Sequence, residues 1–98
     1  MPVPLVALSA IPVGGGVIVP EHGVVVTRPA GGDVAAFRTL CPHRGCQVRA
    51  VAAGTINCFC HGSRFWIGDG VPVGGPATEP LTPVAVTVVD GMVVNAPG

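Results

Sequence analysis

The sequence predicts an all-β fold, a small sandwich or barrel, on three observations. Gly 15 and Pro 11 together make about 27% of the 98 residues, a fraction that on its own marks low-complexity or disordered chains. Yet 49% of the residues are hydrophobic, only 10% are charged and the mean hydropathy is +0.66, whereas disorder needs low hydrophobicity and high net charge. The apolar residues also fall in short, valine-rich runs separated by turn residues. Short strands joined by many Gly/Pro turns satisfy all three observations. At this length the chain is one domain, 1–98, with a modest core, near the size at which covalent or metal staples help.

From the N-terminus, Leu5 to Ile11 is apolar with Pro at both margins, and Gly14-Gly15-Gly16 separates it from Val17-Ile18-Val19, giving two short strands and a bend. Glu21-His22-Gly23 reads as a hairpin turn into Val24-Val25-Val26-Thr27, with His22 a solvated turn residue, and Pro29 to Asp33 as a longer turn. The alternation of Val34, Ala36 and Arg38 against Ala35, Phe37 and Thr39 predicts a half-buried strand. Val48 to Asn57 offers two short β segments around Ala53-Gly54. Asp69-Gly70 is a turn, and Val71 to Pro83 is Pro/Gly-rich without a period. Val84 to Val89, Asp90-Gly91 and Met92 to Asn95 carry the strongest hairpin signal in the chain. Phe37, Phe59, Phe65 and Trp66 read as core or site-shielding residues, with Phe59 and Trp66 also candidates for partner contact; Asp69 and Glu79 read as surface charges.

Five Arg, no Lys and five acidic residues give a formal net charge of zero. There is therefore no electrostatic footprint for nucleic acid or an anionic membrane surface, and docking to a protein partner is expected to depend weakly on salt. No apolar run approaches the ~20 residues of a spanning helix, so direct membrane insertion is not expected. Met1-Pro2-Val3-Pro4 has neither the charged nor the long apolar region of a signal peptide. Gly14-Gly15-Gly16 has no helix pattern or Lys after it, which leaves no phosphate loop.

The chemistry is concentrated elsewhere. All four cysteines and two of the three histidines fall within twenty-one residues, as Cys41-Pro42-His43-Arg44-Gly45-Cys46 and Cys58-Phe59-Cys60-His61-Gly62-Ser63. Two soft or borderline ligands from each of two loops make a tetrahedral metal site, with two cysteines left to bridge the loops. The spacing alone leaves the metal open, and a structural zinc site could use the same atoms.

The pattern C-x-H-x-G-C followed by C-x-C-H-G-S, with fourteen residues between His43 and Cys58, resembles the two cluster-binding boxes of Rieske [2Fe-2S] proteins. Gly75-Pro76-Ala77-Thr78 resembles the Gly-Pro loop that covers the cluster in that family. The resemblance implies a Rieske-type antiparallel β-sandwich with a small cluster-binding subdomain at about 40–79. It implies Cys41 and Cys58 as thiolate ligands of one iron and His43 and His61 as imidazole ligands of the other. It also implies a disulfide between Cys46 and Cys60, and Gly75 and Pro76 as the cluster-covering loop. In this chemistry neutral imidazoles replace two thiolates, remove negative charge and raise the potential from about −400 mV to roughly −150 to +300 mV. The second nitrogen of each imidazole lets proton uptake accompany reduction.

Two positions are expected to tune the site. Ser63 matches a serine whose hydroxyl donates to a bridging sulfide in high-potential members, and Phe65 lies where those members carry a tyrosine that donates to a ligand sulfur. One hydrogen bond is then missing, and an intermediate potential follows. Arg44 at the box-one tip disfavours an apolar quinone pocket and is more like the ring-hydroxylating oxygenases and their ferredoxins, whereas the cysteine pair and Ser63 are more like the cytochrome bc type.

The expected function is one-electron transfer between redox partner proteins. The alternatives are a Rieske subunit of a larger oxidoreductase (quinol-oxidising, molybdenum or oxygenase system) and a structural zinc module. No Ser/His/Asp set remains for hydrolysis, so catalysis by this chain alone is not expected. A disulfide persists mainly in exported compartments. The expected location is therefore exported or membrane-associated and extracytoplasmic, with an N-terminal segment removed; the cytoplasm is the alternative. The flat area around Phe59 and Gly75-Pro76 is the expected docking face.

Overall fold

The computed structural model describes residues 3–31, 33–40, 46–58, 62–75 and 77–95. Within them lie ten strands: β1 (Pro4–Ala7), β2 (Gly15–Val19), β3 (Val24–Arg28), β4 (Ala35–Arg38), β5 (Ala50–Ala52), β6 (Thr55–Asn57), β7 (Arg64–Trp66), β8 (Pro72–Gly74), β9 (Val86–Val89) and β10 (Met92–Asn95). They pair into three antiparallel sheets, ordered β1-β10-β9, β2-β3-β4 and β5-β6-β7-β8. The all-β sandwich expected from the sequence is the fold observed.

The β2-β3-β4 sheet is the middle layer. Because side chains alternate along a strand, Ile18, Val25, Ala35 and Phe37 face one core, with Val48, Val51, Ile56, Phe65, Ile67 and Leu81 opposite them. Val17, Val19, Val24, Val26, Val34 and Ala36 face the other, against Leu5, Val6, Ile11, Val86 and Val93. β4 is therefore buried on both faces, with Ala36 at 2% and Phe37 at 3% exposure, and the expected half-buried strand is corrected. The second apolar face belongs to Ala36, which is small enough to read as neutral in the alternation. Each fully buried Val, Ile or Phe side chain contributes about 1.5–3 kcal/mol through area removed from water.

The remaining differences from the sequence reading are local. The strand expected over Leu5 to Ile11 stops at Ala7 and continues as a 3-10 turn, Leu8–Ala10. The Arg28 guanidinium holds that bend by donating to the carbonyls of Leu8 (3.4 Å) and Ile11 (3.2 Å). Gly15 and Gly16 lie inside β2 rather than breaking it, because a side chain at Gly16 would meet the Val26 carbonyl at 2.8 Å and the Val51 side chain at 3.2 Å. That close approach lets β5 lie against β2. β8 runs through the Pro/Gly-rich stretch that showed no period, paired with β7 across an irregular register. Hairpin turns form at Ala53-Gly54 and Asp90-Gly91, where all four residues have positive φ, as two-residue I′ turns require. The proposed 40–79 subdomain contains β5 to β8, whose inner face shares a core with Val25 and Phe37 of the middle sheet.

Candidate metal centre

The described residues on either side of each cysteine- and histidine-bearing box pair with one another at its base. The first leaves the end of β4 and returns through the bridge Leu40 to Gln47. There the Val48 N–H donates to the Thr39 carbonyl at 2.7 Å, and the Thr39 hydroxyl donates to the Gln47 side-chain oxygen. The second leaves β6 and returns to β7, and the Cys58 N–H donates to the Ser63 carbonyl at 2.9 Å. Cys41, His43, Cys60 and His61 lie outside the described residues, as do Phe59 and Pro76.

The described residues of the two boxes converge. Cys58 is 2% exposed, carries a free thiol and sits in the core cluster with Val48, Ile56 and Phe65. Cys46, half-buried, packs against the same cluster and is disulfide-bonded to a partner outside the described residues. A buried sulfur with apolar neighbours has no water to compete for it, which suits a soft metal ligand on the inner side of a site.

Ser63 is buried, and its Oγ accepts the backbone N–H of Ala77 at 3.2 Å. This bond draws the segment after β8 onto the second box. Gly75 makes the same approach with its backbone: its φ is 84°, and a Cβ there would lie 2.5 Å from the Ser63 Cα and 2.7 Å from the Gly62 carbonyl. Only glycine fits such a position without displacing the second box. The covering loop expected over Gly75-Pro76 is thus seated on the second box at its described residues. Ala77, part of the loop motif but given no role of its own by the sequence, supplies the donor.

Phe65 is fully buried in the Cys58 cluster. Trp66 points the other way: it is 49% exposed, and its ring is the nearest neighbour to Gly54 and Gly68. The expectation of Trp66 as a core or site-shielding residue is corrected, since strand alternation commits Phe65 inward and Trp66 outward. The sequence also did not single out Leu40, 52% exposed beside the first box. It lines a surface hollow of about 740 Å³ with Ile18, Pro20, Arg38, Gln47 and Arg49.

Comparison with known proteins follows the same lines. The family model for the Rieske [2Fe-2S] domain matches residues 3–90. A Haloferax mediterranei protein named for the Rieske subunit of a respiratory nitrate reductase is 39% identical over 54 residues, which is 54% of this chain and 24% of the relative. The chain thus spans about a quarter of that relative's length. The ferredoxin of carbazole 1,9a-dioxygenase from Nocardioides aromaticivorans superposes with TM-score 0.72 at 27% identity, covering 100% of this chain and 99% of the other. A cyanobacterial plasma-membrane Rieske protein from Synechocystis superposes with TM-score 0.76 at 29% identity, over 97% and 99% of the two chains.

Proposed function

Because the chain belongs to the Rieske [2Fe-2S] domain family, we propose that Cys41 and Cys58 hold one iron of the cluster through thiolates and His43 and His61 hold the other through imidazoles. One-electron transfer through a Rieske-type [2Fe-2S] cluster is the function of this domain. The family match displaces the structural zinc module. The observation that carries the ligand assignment is Cys58: a free, buried thiol at the foot of the second box, beside a second cysteine already committed to a disulfide. When bound, the cluster supplies a one-electron couple whose charge is delocalised over iron and sulfide.

The chain's own residues do the rest. Cys58, Val48, Ile56 and Phe65 keep water from the inner side of the site. The Ser63 oxygen accepts from Ala77, and its hydroxyl, which donates to no acceptor among the described residues, would donate to a sulfide and favour the reduced state. Cys46 and Cys60 are the proposed disulfide pair, tying one box to the other. His43 and His61 form the outer edge through which the electron enters and leaves.

Relatives named as Rieske subunits and ferredoxins belong to larger oxidoreductase systems. For this chain we favour a ferredoxin-like carrier serving such a system, since it matches the carbazole dioxygenase ferredoxin over nearly the whole of both chains. The second reading, a subunit of a larger complex, is favoured by the nitrate reductase relative. An extracytoplasmic site of action is proposed on the Cys46 disulfide; counting four free thiols in cluster-stripped protein from its native host would contradict it. The ligand assignment is tested by Cys58→Ala and His61→Cys in turn. The first should abolish cluster retention, and the second should retain iron while lowering the potential toward that of an all-thiolate cluster. A Cys58→Ala protein with unchanged iron and sulfide would refute the assignment.

A further inference from the structure

The net charge of zero conceals a segregation of charge along the molecule. The C-terminal end of β4, the N-terminal end of β7 and the bases of both boxes lie at one end. Arg38, Arg49 and Arg64 are there, all exposed, against two carboxylates, Glu21 in the turn between β2 and β3 and Glu79 in the loop held to this end by Ala77 on Ser63 and Thr82 on Arg38. None of the three arginine side chains has a hydrogen bond or ion pair among the described residues. Asp33, Asp69 and Asp90 sit in exposed turns at the opposite strand ends, where the arginine present, Arg28, is spent on the Leu8 and Ile11 carbonyls. The molecule measures 38 × 26 × 19 Å, while charges in physiological salt are screened beyond about 8 Å. A partner approaching the box end therefore meets the arginines and is screened from the distant aspartates.

The shape at that end is specific as well. Arg38 and Arg49 both line the hollow of about 740 Å³, together with the exposed Leu40, the last described residue before the first box. We propose that this basic, Leu40-centred hollow is the docking face for an acidic redox-partner protein, which seats carboxylates against Arg38 and Arg49 and an apolar residue on Leu40. The proposal rests on the cluster reading above and names the class of partner that the cluster serves. It moves the centre of docking from the Phe59 and Gly75-Pro76 area to the first box. It also replaces the expectation of weak salt dependence, which followed from the net charge and not from its placement.

The cluster itself does not produce this preference. With two thiolates and two neutral imidazoles, two ferric ions and two sulfides, the oxidised site has no net charge and the reduced site carries one negative charge. That charge alone disfavours an acidic acceptor. The test is stopped-flow oxidation of the dithionite-reduced holoprotein by two one-electron acceptors of opposite charge, an acidic plastocyanin and a basic cytochrome c. In each reaction the domain loses one electron, and the copper or haem iron gains it. The rate constant with plastocyanin should fall roughly tenfold from low to physiological ionic strength, while that with cytochrome c rises or stays flat. Arg38→Gln with Arg49→Gln should remove most of the plastocyanin dependence and leave the reduction potential unchanged. Asp33→Asn, at the far end, should change nothing. Equal salt slopes for the two acceptors, or a slope untouched by the arginine variants, would overturn the proposal. So would arginine-dependent binding to phosphatidylserine vesicles without preference for the acidic acceptor, which would make the face a membrane contact. A preparation with no reducible cluster would instead refute the ligand assignment, and the EPR spectrum of the same sample separates the two failures.

Discussion

Ser63 and Phe65, two residues apart in and just after the second box, bring different chemistry to the proposed cluster site. Ser63 holds Ala77 through its Oγ and donates to no acceptor among the described residues, whereas Phe65 fills the core beside Cys58 with no polar atom to offer. Phe65→Tyr would restore a donor near the ligand sulfur. If that bond favours the reduced state by about 1 kcal/mol, the potential rises on the order of 40 to 60 mV; an unchanged or lower potential in a redox titration would refute the role given to this position. Ser63→Ala leaves the Ala77 N–H buried without its acceptor. It should cost about 1–3 kcal/mol in denaturant unfolding and lower the potential, while Ser63→Thr should recover much of the stability. Both residues were legible in the sequence because they sit at fixed offsets from a cysteine and a histidine. The Ala77 donor was not, since a backbone N–H carries no residue-type signal.

At the level of elements, the base of the second box and the segment carrying Gly75 and Ala77 pack against each other. Leu40 with Gln47, and Cys58 with Ser63, close the two boxes at their bases, and Gly75 presses its backbone onto Ser63. Gly75→Ala adds a methyl 2.5 Å from the Ser63 Cα at a φ of 84°. It should destabilise the covering loop by upward of about 1 kcal/mol and speed cluster loss, read as the decay of visible absorbance at constant temperature. Gly91→Ala, with nothing within 4 Å of the added methyl and a φ of 77°, should cost only the turn strain and leave the cluster lifetime unchanged. The Asp90-Gly91 hairpin was readable because its turn chemistry is local. β8 was not, since Pro72 and Gly74 are poor strand formers and only pairing with β7 makes them one. The double burial of β4 was hidden for a related reason: it depends on two neighbouring sheets, and no single strand's alternation reports on both.

Over the whole molecule, a chain of 98 residues holds two cores on either side of one three-stranded sheet and adds a disulfide at Cys46. Cys46→Ser should lower stability by about 2–4 kcal/mol, measured as a shift in the denaturation midpoint, and a strong reductant should have the same effect on the unmodified protein and none on the variant. Fold class was legible at this scale because Gly/Pro content and hydropathy are bulk properties. Charge segregation was not, because it appears only when β4, β7 and the turns are assigned to ends. Whether two cysteines and two histidines hold a Rieske-type cluster is decided by a redox-titrated EPR spectrum, with iron and sulfide analysis on the same sample. Two irons and two sulfides per chain are expected, with a signal only in the reduced state and a one-electron midpoint between roughly −150 and +300 mV. Bound zinc with a silent spectrum, or a midpoint near the −400 mV typical of all-thiolate clusters, would contradict the ligand assignment.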